Sequence, residues 1–327
     1  MKIAILDDFQ DAVRHLPCFE KMRHHDVKVL NQHVQDPHEL ARQLQGVQAL
    51  ILIRERSWIQ EEVLALLPQL RLIVQTGKAG RHLDLEACRR RGIVVQETQG
   101  TSIATVEFTL LMVLAALRHF PQEVDHMRQG LWQRTLGRQL HGRTLAILGL
   151  GRIGERLAHV AQAMNAHILV WGRQSSLDKA AAQGWEVAPS RSDFFARADV
   201  LCITLRLNEH TQGHVTADDL AHMKPDAILV NTARAELIEP NALHDALVRG
   251  RPGFAAVDVY EQEPVTAVRH PLQDLPNCLC TPHLGFAERD NFEHYFSQAF
   301  DHINAYEKRR QRTRGFKGTP LTMRRYK

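Results

Sequence analysis

No apolar run in this chain approaches the roughly 20 residues that a membrane-spanning helix requires, so a transmembrane segment is excluded. Met1-Lys2 leads into apolar Ile3–Leu6 but meets Asp7-Asp8 at once, too short a stretch for a secretory signal. Cysteine is sparse, with five scattered residues. That odd number argues against a disulfide framework and for a reduced, cytoplasmic protein. The nineteen histidines include no HExxH and no clustered Cys/His spacing, so no metal site is expected. His24-His25 reads as a polar surface segment. Cys278 and Cys280 lie two apart on one strand face and read as core rather than redox residues. There is no repeat of fixed period and no low-complexity tract.

What is present is ordinary globular composition, with 44% hydrophobic and 24% charged residues. A length of 327 residues favours two lobes. The net charge of +4 is unevenly spread: Glu307 to Lys327 holds nine Lys/Arg against one Glu, leaving −4 on the remaining chain. A uniformly basic nucleic-acid binder is therefore not expected, and the tail reads as a solvated terminus.

Short apolar, β-rich runs alternate with helical patterns, the signature of parallel sheets with crossover helices. The first third offers strands at Lys2–Leu6, Val27–Leu30, Ala49–Ile53, Leu72–Gln75 and Ile93–Val95, with helical patterns at Glu61–Leu67 and Leu83–Arg91. Thr101–Leu117 follows, a helix apolar on nearly every side, which must be covered on both sides as an inter-domain helix, a dimer interface, or both. A second series runs through Leu145–Leu148, His167–Trp171, Val200–Thr204, Ala227–Asn231, Ala255–Val259 and Cys278–Thr281, before a terminal helix at Glu288–Tyr306. The expectation is two doubly wound α/β lobes.

The strongest local motif is Gly149-Leu150-Gly151-Arg152-Ile153-Gly154, between an apolar strand and a helix expected from Glu155. Glycines there permit a tight turn, close approach to a pyrophosphate and close helix–strand packing, while the helix N-terminus favours phosphate charge. NAD sites usually carry an acid at the end of the next strand to hold the ribose 2′-hydroxyl. Here that strand ends Trp171-Gly172-Arg173-Gln174-Ser175-Ser176, with no acid before Asp178. Arg173, Ser175 and Ser176, with Arg206 after the following strand, offer charge and hydroxyls to a 2′-phosphate, so NADP is preferred over NAD. In an NAD enzyme Arg173 would instead stack on adenine.

Three later strand ends carry polar groups where open α/β sheets bind ligands: Asn231-Thr-Ala-Arg234, Asp258-Val-Tyr-Glu-Gln-Glu-Pro264 and Thr281-Pro-His-Leu-Gly285. An Arg grips a carboxylate, a His moves a proton near neutral pH, and a carboxylate orients the His. Together with the Gly149–Gly154 turn, these segments resemble the D-isomer-specific 2-hydroxyacid dehydrogenase family over most of the chain. The resemblance implies a Rossmann-like cofactor domain (99–286) inserted into a flavodoxin-like substrate domain (1–98 and 287–327), and a homodimer. It further implies Arg234 as substrate-binding Arg, Glu263 as His partner and His283 as acid/base. Gly149, Gly151, Arg152, Ile153 and Gly154 match the pyrophosphate turn. Thr232, Ala233 and Arg234 match the nicotinamide side, Asp258 the carboxamide contact, and His283 and Gly285 close that end of the cofactor site. Gly77 to Asp84 resembles the substrate loop, with Lys78 and Ala79 in the segment whose amides hold the substrate carboxylate, and Glu107 falls in the inter-domain helix.

The chain departs from the family pattern at Gly172-Arg173, at Ala79 and Arg81 of the loop, and at Arg206. Lys78, Arg81 and Arg54-Glu55-Arg56 favour a doubly anionic acid. The reading is reduction of a small 2-keto acid, glyoxylate- or hydroxypyruvate-like, to its D-2-hydroxy acid. The alternatives are an NAD-dependent, phosphoglycerate-type member and a non-catalytic NAD(P)-sensing scaffold, against which the intact Arg234, Glu263 and His283 weigh.

Overall fold

The computed structural model describes residues 1–266 and 268–316. The chain divides into two compact units. One is formed by both chain ends (Met1–Thr101 with Arg289 onward), the other by Ser102–Glu288 between them.

The first unit contains β1 (Lys2–Leu6), β2 (Asp26–Val29), β3 (Ala49–Ile53), β4 (Leu72–Thr76) and β5 (Val94–Glu97), all parallel, in the order β2-β1-β3-β4-β5. β3 and β4 are buried along their whole length, as strands covered on both faces must be. One covering layer comes from the helix Arg289–Phe316, whose Phe296 and Phe300 are among the largest fully buried side chains. That helix extends the expected one through the first part of the basic tail; residues 317–327 of the tail lie outside the described residues. It also corrects one expectation. The His25 side chain is only 2% exposed, bonding the N-terminal amine at 3.2 Å and Asn304 Oδ1 at 2.9 Å. His24 beside it is exposed.

The second unit contains β6 (Thr144–Leu148), β7 (His167–Trp171), β8 (Glu186–Val187), β9 (Val200–Ile203), β10 (Ile228–Asn231), β11 (Phe254–Val257) and β12 (Cys278–Cys280). They are parallel, in the order β12-β11-β10-β9-β6-β7-β8. Strand alternation sorts the core into two layers. Leu145, Ile147, Val170, Val200 and Val230 pack with the helices Ile103–Leu117 and Arg152–Ala163. Ala146, Leu148, Leu169, Leu201 and Leu229 pack on the other face with Phe194 and Phe195. Each such Leu or Ile contributes about 1.5–3 kcal/mol by leaving water.

Every strand expected from the sequence is present with ends shifted by at most two residues; the unanticipated one is β8, too short and too polar to read. Within the single chain, the helix Ile103–Leu117 leaves Ile103 and Leu111 51% and 55% exposed. Among the described residues, no single helix is long and apolar enough to cross a membrane, and no group of three or more His, Cys, Asp or Glu side chains gathers as a metal site would require.

Candidate active site

The order in which successive strands are laid down switches sides at β6, whose neighbours are β9 and β7. Ligands of open α/β sheets bind beyond the strand ends at such a switch. The Gly149–Gly154 turn leaves β6 there, and each glycine has its own reason. Gly149 adopts φ +92°, and a Cβ on it would stand 2.6 Å from Leu205 Cδ2. A Cβ on Gly154 would meet Gly149 O at 2.5 Å, so this glycine lets the helix close onto the strand. Gly151 has nothing within 4 Å of its Cβ position and is exposed, leaving the open approach a diphosphate needs. The helix begins at Arg152, three residues earlier than expected, with Gly151 as its N-cap and no side chain capping it. Its first amides therefore face the opening, and the turn fits the diphosphate of a dinucleotide.

Strands on both sides of β6 end in arginines. After β7, Gly172 packs against Ser176, whose Oγ accepts from the Leu150 amide at 3.3 Å and so ties the two turns together. Arg173 is the exposed N-cap of the helix Gln174–Ala182, and Ser175 in its first turn is exposed too. After β9, Arg206 is exposed. Among the described residues neither the Arg173 nor the Arg206 side chain has an ion-pair partner. Asp178, the first acid beyond Arg173, is taken up by Gln174 at 2.7 Å.

The other three polar segments leave β10, β11 and β12, which are adjacent in the sheet. Glu263 Oε2 lies 2.6 Å from His283 Nδ1, and Glu263 Oε1 accepts the Tyr260 amide at 3.0 Å, so the carboxylate is fixed from both sides. The His283 ring also meets Phe286 edge-on at 5.2 Å. His283 itself has φ +51°, a left-handed conformation uncommon outside glycine. The neighbouring Asp258 holds the turn that imposes it. This carboxylate accepts Thr281 Oγ1 and the Leu284 amide at 2.7 Å and the Gly285 amide at 2.8 Å. Burial pushes the Asp258 carboxyl above its usual range, against those hydrogen bonds. A Cβ on Gly285 would stand 3.1 Å from Asp258 Oδ2, so the turn is built around glycine.

Arg234 ends the third segment, its Nη1 donating to Ala233 O at 2.5 Å. Asn231 shapes that turn, accepting the Ala233 amide at 3.0 Å and donating to Arg234 O at 2.9 Å. Thr232 shares a 2.7 Å hydroxyl contact with Thr109 of the helix Ile103–Leu117. In the first unit, the Gly77–His82 loop follows β4. There Lys78 Nζ and the Ala79 amide both bond Glu97, at 2.5 and 2.9 Å, so this amide already serves a carboxylate. Arg54 Nη1 lies 3.5 Å from Tyr295 Oη, and Arg56 is buried, donating to Asp7 O at 2.7 Å.

The structure thus brings His283 and Glu263 into contact and sets Arg234 on the adjacent strand end, while Lys78 and Ala79 belong to the other unit. Sequence reasoning missed Asn231, Ser176, Thr281 and Glu97 as positioning groups. Only Asn231 carried a signal, an amide side chain opening a four-residue strand-end turn.

Residues 110–285 match the family model described as the D-isomer specific 2-hydroxyacid dehydrogenase, NAD binding domain. The chain is 33% identical over 282 residues to a glyoxylate reductase of Aeropyrum pernix, covering 82% of each. It is 32% identical over 250 residues to a D-3-phosphoglycerate dehydrogenase of Methanocaldococcus jannaschii, covering 76% of this chain but only 47% of that protein. Among solved structures, a phosphoglycerate oxidoreductase from Vibrio cholerae superposes with a TM-score of 0.92 at 46% identity, over 94% of this chain and 99% of that one.

Proposed function

Because this chain belongs to the D-isomer-specific 2-hydroxyacid dehydrogenase family, we propose that it reduces a small 2-keto acid of the glyoxylate or hydroxypyruvate kind to its D-2-hydroxy acid at the expense of NADPH. The observation that carries this reading is the 2.6 Å His283–Glu263 contact at adjacent strand ends, beside the strand end that bears Arg234. With Nδ1 engaged by Glu263, Nε2 is the nitrogen that gives the proton to the substrate oxygen as the carbonyl is reduced. Arg234 grips the substrate carboxylate through its planar fork. In the unit of the chain ends, the Lys78–Ala79 turn is assigned to substrate binding. The bound nicotinamide dinucleotide supplies the hydride. Gly149, Gly151, Arg152, Ile153 and Gly154 hold its diphosphate, and Arg173, Ser175 and Arg206 hold the 2′-phosphate. Thr232, Ala233, Asp258 and Gly285 line the nicotinamide end.

The NADPH preference rests on two exposed guanidiniums flanking β6 with no acid at the end of β7. We expect fluorescence titration to give tighter binding of NADPH than of NADH, and Arg173→Asp to reverse the order. Tighter NADH binding unchanged by the substitution would make Arg173 a stacking residue. The partner we assign is a second copy of the chain, because the segment after the helix Ile103–Leu117 exposes Met127 at 62%, Trp132 at 72% and Leu136 at 95%. A cytoplasmic location belongs to the same reading.

A phosphoglycerate-type dehydrogenase is the second reading, favoured by the relatives of that name and by Arg54 at the end of β3. A turnover assay separates the two. NADPH consumption with glyoxylate or hydroxypyruvate supports the first, and turnover confined to 3-phosphohydroxypyruvate the second. Nucleotide binding without turnover of any 2-keto acid would point to the sensing scaffold.

A further inference from the structure

Cys278 and Cys280 alternate with Leu279 on β12, so their side chains share one face of the strand, and their Sγ atoms stand 3.7 Å apart. The sequence reading made them core. They do touch the core, but both are half-buried and line a surface hollow of about 500 Å³ together with Val265, Arg269 and Gln273. Among the described residues β12 is an edge strand of its sheet, paired with β11 alone. We propose that Cys278 and Cys280 form an oxidisable dithiol, which a peroxide closes to an intrachain disulfide that distorts the edge strand leading to His283.

The other three thiols are poor competitors. Cys18, Cys88 and Cys202 are buried, and burial pushes them to about 12, about 11 and about 12. In the pair, the Cys278 thiol donates to Cys280 and draws it below the usual thiol range against the opposing effect of burial, with help from the Tyr260 hydroxyl. Cys278 is raised correspondingly by the same contact. The thiolate is the reactive form, so Cys280 attacks. A sulfur–oxygen bond forms as the peroxide bond breaks and hydroxide leaves. Cys278 sulfur then displaces the second oxygen as hydroxide and the disulfide forms. Two thiols are oxidised, the peroxide is reduced, and the two released protons complete two waters.

Residues two apart on a strand have Cα atoms about 6.6 Å apart, near the upper end of the roughly 4.4–6.8 Å a disulfide spans. Closing the sulfurs from 3.7 Å to a bond of about 2.05 Å therefore shortens the strand and stores strain. Strained disulfides are the readily reduced, reversible kind. An edge strand with one neighbour yields most easily, and the pull is passed on directly. Thr281 is anchored to Val257 O at 3.0 Å and to Asp258 at 2.7 Å, and the His283 amide donates to Thr281 O at 3.0 Å.

The test is peptide mapping of the purified protein after hydrogen peroxide, with alkylation before and after a thiol reductant, alongside Cys278→Ser and Cys280→Ser. The peptide holding both residues should lose two hydrogens and resist alkylation until reduced, with Cys18, Cys88 and Cys202 unchanged. Turnover should fall severalfold and return with the reductant, and Cys278→Ser should keep basal turnover but lose the reversibility. Persistent alkylation of both cysteines after peroxide, or oxidation of Cys280 to higher acids without a disulfide, would overturn the proposal. A disulfide that leaves turnover unchanged would overturn its coupling to His283. The mass readout stands apart from the dehydrogenase reading, on which only the turnover arm rests.

Discussion

Arg234 and His283 show what single residues contribute and what the sequence discloses about them. Both occur in short polar segments that end apolar strands, so residue type and position marked them directly. Glu263 was named as the His283 partner, but the hydrogen bonds that hold the His283 turn were not legible, because Thr281 meets Asp258 through register and folding rather than through sequence proximity. If Arg234 takes the substrate carboxylate, Arg234→Ala removes a charge-assisted contact of about 1.5–3 kcal/mol. The expected result is a fall in kcat/KM for the keto acid of about tenfold to a hundredfold, with nucleotide affinity retained. Arg234→Lys should recover it only in part, since an ammonium lacks the planar fork. Steady-state kinetics decide this, and unchanged kinetic constants would refute the assignment.

Elements were legible wherever periodicity was long and pure. The strands buried on both faces read as continuous apolar runs, and β8 escaped because two residues make no pattern. The helix Arg152–Ala163 starts inside the glycine turn, where composition suggests loop, because packing on β6 and the glycine N-cap override propensity. Capping supplies a further testable element. Asp219 forms a capping box with Thr216 at the start of the helix Ala217–His222 and pairs with Arg191 at 2.6 Å. Burial raises the Asp219 carboxyl, but Arg191 and the Thr216 hydrogen bonds outweigh it and hold it below the usual range. A depressed native value contributes stability that is complete above the ordinary Asp pKa of about 3.9 and is lost as pH falls through the native value. Asp219→Asn should therefore unfold at lower denaturant than the unsubstituted protein at about pH 7, and the gap should narrow as pH falls below the ordinary Asp value. Denaturation midpoints at neutral and acid pH check this; a gap of unchanged size in acid would contradict it.

At the scale of the whole molecule, alternation of strands and helices disclosed the two parallel α/β units, and the insertion of one into the other followed from the family resemblance. Oligomeric state is read from what the fold leaves uncovered. Phe120, Met127, Trp132 and Leu136 are exposed after the helix Ile103–Leu117, and a second copy of the chain would cover them. Sedimentation velocity should give a dimer, and Trp132→Glu with Leu136→Glu should shift it to monomer. A wild-type monomer at micromolar concentration would remove the second copy from the account.

The central claim is that His283 donates the proton in a keto-acid reduction. Single-turnover oxidation of bound NADPH by hydroxypyruvate, compared between the unsubstituted protein and His283→Gln, tests it most directly. The expected result is a fall on the order of a hundredfold or more in the chemical step, with NADPH affinity unchanged. A His283→Gln protein that oxidises bound NADPH at the unsubstituted rate would contradict the account.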